Sequence, residues 1–387
     1  MRVIWARNRL HAGSYRRIVA PERDAAKYLP LRRTVRHCLV MSAQPKHPVV
    51  PLEVWRPAFD AILAFRALAP WEWMFDCDTC VLVDAAGVPW FVTVLGMARE
   101  VRGLALYRGA QGLRTLQASM DPMADPTELG FRMDALTIWF GAKNELPAAQ
   151  RELYGKLGHK PVRGMKWAWP AVLDHTPGYA AWGPTAEQVA WLATALPAVM
   201  RFAALVKAEP RVVANRSRGE YPTVPLGGAA MLRAEDLEWR HWRADPEPVS
   251  GDPVRLEDES LAAGLRALPV AAGRALDLAW FFMADAIAEG DRPYHGRILV
   301  ALDPETAVCL GMEVVSIHDD LAKKAAHVLA EQFRRGGVVP ATIRVQDPEL
   351  ERRLGPLLNG IGSHVEMAGP LESVAAFREA MAAFMGR

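Results

Sequence analysis

Asp76-Cys77-Asp78-Thr79-Cys80 sets two thiols three residues apart, a spacing that could serve a redox pair or half of a zinc site. A redox pair wants its first cysteine at a helix N-terminus, where the thiolate is stabilised. Here the apolar run Cys80-Val81-Leu82-Val83 follows and reads as a strand, on which residues three apart point to opposite faces. A zinc site needs two further ligands, and no second pair of cysteines exists. Packing is the expected role of Cys77 and Cys80, with a redox or zinc protein as a third functional class. His159, His175 and His318 have no partner at ligand spacing and read as loop or cap residues. No Gly-x-Ser-x-Gly elbow occurs. The Gly109–Gly112 stretch lacks the Gly-Lys-Ser/Thr ending of a phosphate loop and reads as a strand-to-helix turn.

Three carboxylates form a second group. Asp277 lies on an apolar strand whose same-face neighbours are Ala279, Phe281, Met283 and Asp285. Asp347 follows Ile343-Arg344-Val345-Gln346 at the carboxyl end of a strand, where open α/β sheets bind ligands. Glu372 opens the last helix. Each also has an ordinary role. Asp347-Pro348-Glu349 makes a good helix start, and Glu372 suits the dipole of a first turn. A third group is aromatic: Trp167, Trp169, Tyr179 and Trp182 are interleaved with prolines. They could line a partner groove or wedge a long loop onto its own domain; the wedge is the favoured reading.

The elements that must position these residues follow from periodicity. Val54–Leu68 has helical spacing, and the strands "CVLVD", "PWFVTVL" and "GLALYRG" read as an antiparallel meander. A helix at "GAQGLRTLQASM", a strand at "ALTIWFGA" and a helix at "PAAQRELYGKLG" come next. A long helix then begins with Thr185 and Gln188 at capping-box spacing. Residues 45–207 thus read as one α+β domain. Residues 208–274 are rich in Pro, Gly and charge and read as an irregular connection, with one strand at "LEWRHW". From 275 to 387 the order is β-β-β-α-β-α-β-α, an α/β domain.

Charge is unevenly spread. Residues 1–40 hold ten basic side chains against Glu22 and Asp24, which is +8; the whole chain carries +2, so the remainder carries −6. Residues 1–44 read as a basic N-terminal extension, either disordered or ahead of a natural start at Met41, with a nucleic-acid arm or an Arg-rich targeting peptide as the alternatives. The acidic body argues against a general nucleic-acid binder. Four scattered cysteines fit a reducing compartment, and no apolar run reaches the ~18 residues of a membrane span, so a cytoplasmic location without membrane partners is expected.

"GRALDLAWFFM", "GRILVALDPETAVCLGMEVV" and "GGVVPATIRVQDPELERRLGPLL" resemble the first strand, the hairpin and the fourth strand of the ribonuclease H-like fold in its integrase branch. That resemblance covers residues 275–387. It implies a mixed sheet in which Asp277, Asp347 and Glu372 together hold two divalent ions, Mg2+ or Mn2+, for phosphodiester chemistry. The sequence lacks the Asn-Gly that often follows the second integrase aspartate. The whole chain also resembles uncharacterised bacterial proteins with tandem domains of unknown function, through "FVTVLGMAREVRGLALYRGAQGL", "GYAAWGPTAEQ" and the 275–387 segment. The leading expectation is a non-catalytic binding or regulatory module with a protein or nucleic-acid partner and no cofactor. The alternative is a divalent-metal nuclease or phosphotransferase using the three carboxylates.

Overall fold

The computed structural model describes residues 47–384, apart from 98–100, 122, 162–163, 215–216, 218, 229–230 and 246–250. The N-terminal extension at 1–44 lies outside the described residues. The chain divides into two compact units. The first runs to Asp245 and includes Ile287–Pro293; the second takes Pro246–Ala286 and Tyr294 onward.

Unit 1 contains α1 (Leu52–Leu68), β1 (Cys80–Val83), β2 (Pro89–Leu95), β3 (Arg102–Arg108), α2 (Gly109–Ser119), α3 (Pro126–Arg132), β4 (Ala135–Gly141), α4 (Ala148–Lys156), β5 (Trp169–His175), α5 (Ala186–Ala208), β6 (Glu220–Thr223) and β7 (Glu238–His241). The strands form one sheet in the order β5-β4-β3-β2-β1-β6-β7. Neighbours from β5 to β1 are antiparallel, as the meander requires, and β6 joins β1 in parallel. Residues 208–245, expected to be irregular with a single strand, thus supply two strands to this sheet.

One face carries Leu82, Val92, Leu104, Leu136 and Val172 and packs on Trp55, Ile62 and Phe65 of α1 and Leu192, Leu196 and Phe202 of α5. By length and composition α5 could cross a membrane, yet ten of its residues are buried in this unit. Its N-terminus has both bonds of the expected capping box: Gln188 N–H donates to the Thr185 hydroxyl, and Thr185 N–H to Gln188 Oε1. The opposite face packs Phe91, Tyr107 and Ala135 on Leu113 and Leu116 of α2. Gly109 turns β3 into α2 at φ +60°, and a Cβ on Gly112 would sit 2.5 Å from the Tyr107 carbonyl carbon, so both glycines serve that turn.

β5 departs from expectation, since the aromatic stretch around it reads as a long loop. Pro170 removes one donor, which an edge strand tolerates, and β5 is an edge. Its outward-facing backbone is not left bare. The Gln150 amide on α4 donates to Val172 O and accepts from Val172 N, standing in for a further strand.

Unit 2 contains α6 (Glu259–Arg266), β8 (Val270–Ile287), β9 (Tyr294–Leu302), β10 (Cys309–Val315), α7 (Leu321–Gly336), β11 (Val339–Val345), α8 (Pro348–Asn359), β12 (His364–Met367) and α9 (Glu372–Phe384). The sheet order is β10-β9-β8-β11-β12. β8 and β11, the first and fourth strands after α6, lie side by side and run the same way, and β12 continues in parallel. Alternation along β8 sends Leu276, Leu278 and Trp280 toward the core of α7 and α8, and Ala279 and Phe281 toward that of α9.

Candidate functional site

The three carboxylates of unit 2 do not share one environment. Asp277 is fully buried in the middle of β8. Its register partner on β11 is Arg344, whose Nε and Nη2 donate to the two carboxylate oxygens at 2.6 and 2.9 Å. The Ser373 hydroxyl on α9 also donates to Asp277 Oδ2. The bond to Asp277 raises the Arg344 guanidinium above its usual range, with Glu366 on β12 adding to the effect. Such two-pronged, charge-assisted pairing offsets part of the cost of burying a carboxylate.

Asp347 lies on the opposite face of the sheet. It follows β11 by two residues and caps α8, accepting from Glu349 N–H at 2.8 Å through Oδ1. Its other oxygen accepts from Trp280 Nε1 at 2.5 Å. Trp280 belongs to the α7–α8 core, whereas Asp277 faces α9. Glu372 is exposed at the start of α9, and its neighbour Ser373 is the buried residue that reaches Asp277. The fold therefore brings Asp277, Arg344 and Ser373 together and leaves Asp347 and Glu372 apart from them. Among the described residues, no group of three His, Cys, Asp or Glu side chains is placed to hold a metal ion.

Close to Asp347, arginines fasten the helix starts. Arg353 on α8 donates to Glu349 at 2.8 Å, to Asp320 at 2.6 Å and to the Asp252 carbonyl at 3.0 Å. Asp320 in turn caps α7 through Lys323 N–H. Arg297 on β9 donates to the carbonyls of Ser316 and Asp319, and burial lowers its guanidinium. The outermost turns of both helices are thus occupied by protein groups.

In unit 1 each singled-out aromatic packs on its own unit. Trp182 stacks on His47 at 3.9 Å. Trp169 meets the His159 ring edge-on at 4.8 Å. Arg102 lies over Trp167 at 3.9 Å, and Arg292 of the Ile287–Pro293 segment over Tyr179 at 5.4 Å. That Arg292 also forms an ion pair with buried Asp174 at 2.5 Å. The two cysteines differ: Cys77 is exposed and Cys80 is buried on β1. Burial pushes the Cys80 thiol up to about 12; burial, helped by Asp78 and Asp76, raises that of Cys77.

Sequence reasoning passed over Arg344, Ser373 and Trp280. A basic residue alternating with Ile343 and Val345 was the one available cue for Arg344, because it shares the face of its partner strand's Asp277.

Comparison with known families follows the same division. Residues 55–223 match a family described as Domain of unknown function (DUF7309), and residues 262–382 match another, Domain of unknown function (DUF6930). The chain is thus similar to two such families in tandem. No curated protein and no solved structure matches it.

Proposed function

We propose that this chain is a non-catalytic binding or regulatory protein of the bacterial cytoplasm, and that its second unit is a ribonuclease H-like domain used for binding or support. The sheet order, third-second-first-fourth-fifth with first and fourth parallel, supports that reading of the fold. Burial of α5 within its unit argues against that helix spanning a membrane.

The observation that carries the reading is the ion pair of Asp277 with Arg344. Both oxygens of the first-strand carboxylate are taken by a guanidinium, and one also by Ser373. A divalent ion at that place would face a fixed positive charge. Asp347 lies across the sheet from it and holds a helix N-terminus and an indole. These residues do not fit a two-metal centre, so no reaction step is assigned to them.

The test is incubation of the full chain with single-stranded and duplex DNA and RNA in Mg2+ and in Mn2+. No cleavage is expected, and neither ion should shift the thermal unfolding curve. Metal-dependent cleavage that disappears in Asp277→Asn would overturn the proposal.

A further inference from the structure

One end of the seven-stranded sheet gathers several cationic side chains. β3 begins there at Arg102 and β4 ends at Gly141, which pairs with Trp169 at the start of β5. Arg102 lies over the Trp167 ring, and Lys143 over Trp169 at 5.4 Å. From α1, Arg66 donates to the Ala168 carbonyl, which His159 Nε2 also approaches at 3.2 Å. Lys160 and Lys166 are exposed, next in sequence to His159 and Trp167.

Two observations set this patch apart. Among the described residues, no carboxylate lies within ion-pair distance of Arg66, Arg102, Lys143, Lys160 or Lys166. By contrast Arg108, Arg233, Arg240 and Arg292 of the same unit are paired with Asp134, Glu235, Glu238 and Asp174. In addition, Arg102 Nε is buried with no hydrogen-bond partner, a donor left unused at the base of the patch. The sequence agrees: residues 156–166 hold four Lys or Arg and no Asp or Glu.

Cations alone would suit any polyanion. Indoles interleaved with cations suit a polymer that alternates phosphates with flat rings. The Arg102 guanidinium on Trp167 adds a cation directly to that aromatic surface. An acidic peptide would meet the charges but make no use of the half-buried indoles Trp167 and Trp169, whose remaining exposed surface lies among them. We propose that this end of unit 1 binds single-stranded nucleic acid. The proposal rests on reading the chain as a binding module, and it names the partner. The net negative charge of the chain beyond residue 40 confines the contact to this patch, and each phosphate neutralised there adds to its salt dependence.

The test is fluorescence anisotropy of the full chain with a labelled oligothymidine and a labelled oligouridine, in EDTA, across a salt series. Affinity should fall as salt rises, and a duplex of equal length should bind more weakly. The triple variant Lys143→Glu, Lys160→Glu, Lys166→Glu should lose at least about tenfold in affinity. Arg334→Glu, at the exposed end of α7, should change nothing. The three lysines are exposed, and a melting curve matching the parent establishes that the triple variant folds; if it melts early, the single Lys160→Glu and Lys166→Glu variants take its place. No binding at low salt, equal affinity for duplex, or full affinity in the lysine variants overturns the proposal. Binding accompanied by magnesium-dependent cleavage would refute the non-catalytic reading and leave this surface standing. Absence of both binding and cleavage would refute this surface alone.

Discussion

Asp277 and Arg344 meet twice: their Cα positions are register partners in the parallel pair β8–β11, and their side chains form a two-pronged ion pair. Asp277 has no solvent exposure, while the Arg344 side chain is 35% exposed. Removing the arginine therefore strands a buried charge, whereas removing both leaves none. Arg344→Ala is expected to cost about 2–3 kcal/mol, toward the low end for buried pairs because of the exposed partner. Asp277→Leu combined with Arg344→Met should recover most of that loss. Urea unfolding of the four chains gives the comparison. An additive double variant would show that the pair is not a unit.

Asp347 and Glu372 should separate cleanly in the same measurement. Asp347→Ala removes a helix cap and the acceptor of Trp280 Nε1, an expected loss of about 1–2 kcal/mol with a change in tryptophan emission. Glu372→Ala alters an exposed side chain and should stay within about 0.5 kcal/mol.

His175 makes unit 1 sensitive to mild acid. Burial pushes its imidazole down to about 4 from 6.5, against the opposing pull of Asp174, and Nε2 contacts the Thr137 hydroxyl at 3.0 Å. Between those values the unfolded chain binds a proton that the folded chain refuses. Stability is thus complete above about 6.5 and falls as the pH drops toward 4, by at most about 3 kcal/mol. Thermal unfolding across that range should show the slope in the parent and a shallower one in His175→Asn. Equal slopes would remove His175 as its source.

Thiol labelling distinguishes the two cysteines of the Asp76–Cys80 stretch. In a Cys38→Ser, Cys309→Ser background, a disulfide reagent at neutral pH should modify Cys77 slowly, because its thiol is raised, and Cys80 only after denaturation. Rapid modification of both would revive the redox reading.

Strong periodicity made much of unit 2 legible. Leu321, Ala325, Val328, Leu329 and Phe333 mark one face of α7, and all five are buried. The alternation of Leu276 and Leu278 with Ala279 and Phe281 places two cores on the two sides of β8. The partners within the site were not legible. Arg344 is 67 residues from Asp277, and a parallel register is set by packing rather than by a local turn. The last helix was expected to present Glu372, yet one residue is about 100° of helical rotation, and that rotation delivers Ser373 instead. In β5, Pro170 and the crowded aromatics concealed a strand that only its place at the rim permits.

The Gln150 amide has a consequence for solubility. An unoccupied rim recruits whatever extended peptide it meets, including the same segment of a neighbouring molecule. Here a side chain from the chain's own helix already holds the outward N–H and C=O of Val172. Sideways growth from β5 would first have to dislodge that amide and the Asp174–Trp182 bridge two residues on, so the chain carries its own stopper against runaway association.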